Sequence, residues 1–272
     1  MPDRELRLLQ FLGHRLPRMP HASGIANRIL KPWYLRKRRA RVVCDVLGLR
    51  MELDPRESVD GNLIFCPQLY DRIEIAYLLD HLGPDDTFVD IGAHVGFYAL
   101  RATTRIRTGR VLAIEAAPET YATLQRNIRM NDANVTAVHC GVSDRVETLK
   151  LHLQETGNRG GNSFLLRQGL GEYGVEVPCY PLVEILRRNE VERVTGMKID
   201  VEGFEHKILK AFFDQAPAPL RPRFVITEFH PWLLGGAETT GDQIALLESL
   251  GYREVRRAAY NRIFSVDGSS AT

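Results

Sequence analysis

The sequence predicts a doubly wound, Rossmann-like α/β fold with a mostly parallel sheet, and three observations predict it. From Thr87 onward, short apolar runs alternate with stretches of helical periodicity, the pattern of parallel strands joined by crossover helices. One run, Phe88-Val89-Asp90-Ile91, passes directly into a glycine turn, Gly92-Ala93-His94-Val95-Gly96, and then into a helical pattern. The last pieces, 252–257 and 261–266, are short and punctuated, which suits an antiparallel hairpin at the sheet edge.

Taken in order, residues 5–16 carry Leu8, Leu9, Phe11, Leu12 and Leu16 as a helical stripe that meets Pro17 and Pro20, so an N-terminal helix precedes the core. Residues 41–54 alternate loosely around Gly48 and read as a short hairpin, and 70–82 as a helix ended by Gly83-Pro84. Strands are expected at 87–91, 110–115, 135–142, 196–201 and 223–229. Helices are expected near 96–104, 118–131, 180–189, 203–213 and 240–250. The stretch 147–177 breaks the alternation with a strand-like 148–153 and a glycine-rich 157–161, and reads as an insertion near the active face. The organisation expected is an extension over 1–69, comprising helix, basic run and hairpin, followed by a catalytic domain over 70–272.

A chain of 272 residues, 44% hydrophobic and 26% charged, buries one full α/β core and falls outside the disordered and membrane-spanning classes. No apolar run approaches the roughly 20 residues that cross a bilayer. The first ten residues lack a signal-peptide pattern, so a cytoplasmic location is expected. Cys44, Cys66, Cys140 and Cys179 are widely spaced, which argues against a zinc site or a disulfide framework. The net charge of +2 hides a basic run over 28–41, where Arg28, Lys31, Arg36, Lys37, Arg38, Arg39 and Arg41 occur with no acid among them. Such a run is either a solvated face or a peripheral contact with an anionic membrane at its inner face. No nucleic-acid partner is expected.

The glycine turn follows a strand end, where open α/β sheets bind ligands. A dinucleotide fingerprint needs a second glycine for close approach of the pyrophosphate, and His94 stands there instead. S-adenosylmethionine carries an ammonium, a carboxylate and a sulfonium but no phosphate, so an acid at the strand end suits it, and Asp90 is that acid. Glu115, with Ala116 after it, ends the next strand about 20 residues on, the spacing for a ribose hydroxyl acceptor. Asp90, Gly92, Ala93, His94, Gly96 and Glu115 are therefore the expected cofactor residues. Phe97 and Tyr98 read as core. Ser143 or Asp144, ending the third strand, is expected beside the adenine, although Asp144 reads equally well as a turn residue.

On these residues the chain resembles the FkbM methyltransferases. The match lies in 88–96, in Glu115 with nearby Pro118, in Gly141-Val142-Ser143-Asp144, and above all in Lys198-Ile199-Asp200-Val201-Glu202-Gly203-Phe204-Glu205, with Tyr70-Asp71 upstream. Two alanines separate Glu115 from Pro118 where the family usually has Glu-Pro. The resemblance, over roughly 70–230, implies a class I methyltransferase sheet and O-methyl transfer to a sugar, glycolipid or polyketide-type acceptor. It also implies Asn162 and Ser163 as cofactor or acceptor contacts.

A hydroxyl acceptor must lose its proton during transfer. Asp200 and Glu202 follow the fourth strand, and Glu228 and His230 follow the fifth. His230 is the expected base, because an imidazole takes a proton near neutral pH. Asp200 and Glu202 share a face if the strand continues that far. Together with Glu228 and His230 they could hold magnesium; the reading preferred is that Asp200 holds the methionine ammonium while Glu202 caps the next helix, with no metal. A nicotinamide-dependent oxidoreductase, or a non-catalytic cofactor-binding module at a membrane, are the alternatives.

Overall fold

The computed structural model describes residues 4–16, 24, 26–36, 40–154, 159–165, 173–229, 240–258 and 260–267. The chain opens with helix α1 (Arg4–His14), a π-helical turn (Ala26–Leu30) and α2 (Lys31–Leu35). An antiparallel hairpin of β1 (Val42–Val46) and β2 (Leu49–Leu53) follows, then α3 (Ser58–Phe65) and α4 (Arg72–Asp80). The wound core alternates β3 (Thr87–Ile91), α5 (Phe97–Ala102), β4 (Arg110–Glu115), α6 (Pro118–Met130) and β5 (Thr136–His139). Next come β6 (Gly141–Ser143), β7 (Glu147–His152), β8 (Gly174–Pro181), α7 (Leu182–Arg188), β9 (Gly196–Ile199) and α8 (Glu205–Gln215). The chain closes with β10 (Phe224–Glu228), α9 (Thr240–Ser249), β11 (Arg253–Ala258) and β12 (Asn261–Ser265).

Seven strands form the main sheet in the order β11-β12-β10-β9-β3-β4-β5, parallel from β10 to β5 and antiparallel at the terminal hairpin. This is the doubly wound sheet with an antiparallel end that the alternation predicts. All five residues of β3 are buried, as expected of a central strand covered on both faces. Its side chains alternate. Phe88 packs into a core with Leu100, Met51, Ile64 and Phe65, while Val89 and Ile91 pack into a second core with Ile199, Ile208, Leu209 and Phe212.

The first core runs without a break into the N-terminal extension, through Leu6, Leu9 and Leu53. Polar ties reinforce it. Asn127 of α6 accepts from the Glu52 N–H at 2.7 Å and donates to the Val95 carbonyl at 2.9 Å, so the hairpin and the glycine turn hang on one buried amide.

Three expectations need correction. The strand expected over 135–142 is two: β5 stays beside β4, and β6 leaves to pair parallel with β8 in a three-stranded sheet ordered β6-β8-β7. Gly141 permits this, since a Cβ there would lie 2.5 Å from Cys179 Sγ. The helix expected over 180–189 starts at Leu182, because Tyr180 and Pro181 complete β8. The fourth strand stops at Ile199, two residues early, and the chain turns through Glu202 (φ 58°) and Gly203 (φ 110°). Helices α2 and α3 carry too little apolar periodicity to be read from sequence.

Candidate cofactor cleft and acid cluster

β3 and β9 are neighbours, but their onward connections run to opposite edges of the sheet, and the crevice at their carboxyl ends is where such folds bind ligands. A cavity of about 1170 Å³ opens there. The register sets its floor: Asp90 lies opposite Lys198, and Ile91 opposite Ile199, so Gly92 meets Asp200 across the crevice. Gly92 has φ 73°, and a Cβ on it would stand 1.9 Å from the Asp200 carbonyl oxygen, so only glycine fits. The Gly92 and Ala93 amides both donate to the Ile114 carbonyl, at 3.0 and 2.9 Å, which folds the turn over the end of β4.

Glu115, the last residue of β4, accepts from the His94 N–H on Oε2 and from the Ala117 N–H on Oε1, both at 2.8 Å. Its carboxylate is thus fixed in orientation at the cavity wall. Burial raises its proton affinity, and the two N–H donors work against that. His94 is held at φ 51°. Its buried Nδ1 finds no hydrogen-bond partner among the described residues and lies 4.0 Å from Asp60 Oδ1, which is likewise unpaired there. Burial lowers the imidazole and favours its neutral form.

The opposite wall is acidic. Asp200, Glu202 and Glu228 each bring a carboxylate oxygen within 4.8 Å of the others. Lys198 Nζ lies 3.1 Å from Asp200 Oδ2 and 5.0 Å from the centre of the Tyr98 ring. Burial alone would lower the Lys198 ammonium, but the carboxylates of Asp200, Asp90 and Asp71 raise it, so it stays charged. Glu228 is pushed up by burial first, then by the nearby charge of Asp200 and its hydrogen bond to that residue. Asp71 accepts from the Tyr98 hydroxyl at 3.0 Å and is pushed up to about 7, by burial first and Glu74 second. The wall therefore concentrates acid around one lysine and is built to receive a cation or a proton.

Of the expected cofactor residues, Gly92, Ala93, His94, Glu115, Ala116, Asn162 and Asp200 line the cavity, as do Glu202 and Glu228. Asp90, Gly96, Ser143 and Asp144, also expected at the cofactor, are not among the residues that line it. Asp90 Oδ2 instead accepts from the Ala99 N–H at 3.1 Å and braces α5, with burial pushing the carboxyl up to about 6. Gly96 starts α5 against Leu124. Ser143 ends β6 and donates to Glu147 of β7 at 2.6 Å, and Asp144, in the turn between those strands, pairs with Lys207 of α8 at 3.1 Å. Cys140, Gly141 and Val142 line the cavity in their place.

Ser163 is buried and donates to the Glu202 carbonyl at 2.8 Å, positioning that turn. The helix cap expected of Glu202 is not formed: α8 starts from Phe204 without a side-chain cap, and Glu205 instead braces the turn before it, its two oxygens accepting from the Val201 and Gly203 amides at 2.9 Å each. His230 lies outside the described residues. The sequence reading missed Lys198 as a site residue, and also Ser58, Asn62, Tyr260 and Asn261, which reach the cavity from the extension and the terminal hairpin. Lys198 had a signal: a lone lysine in an apolar strand block, two residues before Asp200.

The model of the methyltransferase FkbM domain matches residues 90–254. Among curated proteins, the chain is 30% identical to methyltransferase sdnD of Sordaria araneosa, over 49% of this chain and 63% of that protein. It is 28% identical to methyltransferase 1 of Beauveria bassiana, over 48% of this chain and 61% of that one. It is 24% identical to the hexuronic acid methyltransferase AglP of Haloferax volcanii, over 57% and 61%. The matched segment spans about three-fifths of the length of each of these relatives.

Proposed function

The chain belongs to the FkbM methyltransferase family, and from that premise we propose that it is an S-adenosylmethionine-dependent O-methyltransferase acting on a hydroxyl of a sugar, glycolipid or polyketide-type natural product. The observation that carries this reading is the pairing, in one cavity, of an oriented carboxylate on β4 with an acid cluster beyond β9 and β10. The residues fit the cofactor. Glu115 would accept from ribose hydroxyls, Ala116 and residues 140–142 would give adenine a mostly apolar seat, Asp200 would take the ammonium, and Gly92 lets the Asp200 backbone come close beside them.

Bound there, S-adenosylmethionine supplies a methyl group already activated on a sulfonium. The chain's own task is then to orient the acceptor and take its proton. His230, which follows Phe229 at the end of β10, is assigned as the base, with Asp200 next. The sugar class draws support from the hexuronic acid named for the Haloferax volcanii relative. The region over 70–272 is proposed as the catalytic domain and 1–69 as an extension that completes its core.

A second reading has one observation in its favour: the three carboxylates within 4.8 Å are hard oxygen ligands that suit magnesium. One assay separates the two. His230→Ala should keep S-adenosylhomocysteine affinity while turnover falls by about 10² to 10⁴, and EDTA should leave the wild type active. Near-normal turnover in the variant removes His230 as the base. Loss with EDTA and recovery with excess magnesium selects the metal reading.

A further inference from the structure

Helix α1 has two faces of different fate. Leu6, Leu9, Gln10 and Gly13 are buried against the body of the protein, where Gln10 Nε2 donates to the Asp45 and Ile64 carbonyls at 3.1 and 3.3 Å and Gln68 donates to the Gly13 carbonyl at 2.9 Å. On the other side, Leu8, Phe11 and Leu12 are 57%, 51% and 48% exposed. Their i, i+3, i+4 spacing makes them one stripe. The π-helical turn, packed beside α1, adds Ile29 at 61% exposed, and α2, packed on that turn, adds Trp33 at 40%.

The surroundings of this stripe are basic. Arg4, Arg7, Arg15, Arg28 and Arg36 are exposed, and the Arg15 guanidinium lies 3.9 Å over the Phe11 ring. The charge is segregated along the chain. Residues 1–41 hold eleven Lys and Arg against two acids, while the other 231 residues hold 25 against 32.

We propose that this face, Leu8, Phe11, Leu12, Ile29 and Trp33 within an arginine rim, docks on an anionic lipid bilayer. The chemistry selects that occupant. Arginines answer phosphate headgroups, and aliphatic and aromatic side chains at one level enter the headgroup and acyl boundary. A nucleic acid would engage the arginines but leave the leucines in water. A second copy of the chain meeting face to face would bring arginine against arginine. The face also communicates with the cavity: α1 packs on α3, and Ser58, Val59 and Asn62 of α3 line it. The docking face and this part of the cavity wall are thus carried by two helices in contact.

The test is co-sedimentation of the full chain with phosphatidylglycerol-containing vesicles and with pure phosphatidylcholine vesicles, at about 0.1 M and about 0.5 M salt. The wild type should pellet with the anionic vesicles at low salt, and less at high salt. The combined L8S, F11S and L12S variant should partition at least about ten-fold less, with an unchanged circular dichroism spectrum and melting temperature, since the three side chains are exposed. Arg4→Glu with Arg7→Glu should weaken binding as well. Wild-type binding by the serine variant, or no pelleting of the wild type at low salt, overturns the proposal. So does a wild-type dimer that the serine variant abolishes while vesicle binding is unchanged.

Discussion

Asp60 and His94 face each other across a small void beneath the glycine turn, walled by Arg41, Asp54, Glu57, Val95, Thr120 and Thr123. Asp60 is pushed up to about 7, by burial first, with the Asp54 N–H at 2.8 Å pulling it down and the Glu57 and Asp54 charges adding to the rise. The sign follows. The folded protein keeps a proton that the unfolded chain releases near pH 4, so this group costs stability progressively as pH rises from about 4 to about 7. Asp60→Asn keeps an acceptor for the Asp54 amide and has no proton to lose. Its melting temperature relative to wild type should be nearly unchanged near pH 4 and should rise to a plateau above about pH 7; a difference that does not vary with pH contradicts this. The uneven legibility of the site also arises at the level of single residues. Gly92, His94 and Glu115 are readable because a glycine turn after a strand and an acid one unit later have few other uses. Asp60 is hidden, because an isolated aspartate in sequence reads as solvent-facing until the neighbours that bury it are known.

The decisive contact between elements is that of the β3 turn with the end of β9. Replacing Gly92 by alanine places a methyl group 1.9 Å from the Asp200 carbonyl oxygen at a backbone φ of 73°. The two strand ends must part, at a cost of about 1 to 3 kcal/mol for the strained backbone alone. The expected result for Gly92→Ala is a lower midpoint in urea together with loss of S-adenosylhomocysteine binding; retention of both contradicts the crevice geometry. Strands buried on both faces announce themselves in sequence as apolar runs, which is why β3, β4, β9 and β10 were legible. The departure of β6 from the main sheet was not, since β5 and β6 are both extended and separated by Cys140 alone. Its signal is Gly141, which allows the close approach to Cys179, and that contact exists only once β8 is in place.

The whole molecule joins a wound sheet, a small second sheet and an N-terminal extension around one crevice. The extension is not an appendage, because Met51, Leu53, Ile64 and Phe65 are fully buried in the core that also holds Phe88 and Leu100. Among the described residues, no helix is long and apolar enough to cross a membrane. We propose that this crevice takes S-adenosylmethionine rather than a dinucleotide. Calorimetric titration of the intact chain tests it most directly. S-adenosylhomocysteine should bind at one site, Glu115→Ala should weaken that binding by about 1 to 3 kcal/mol, and NAD should give no heat of binding. Binding of NAD with none of S-adenosylhomocysteine would contradict it.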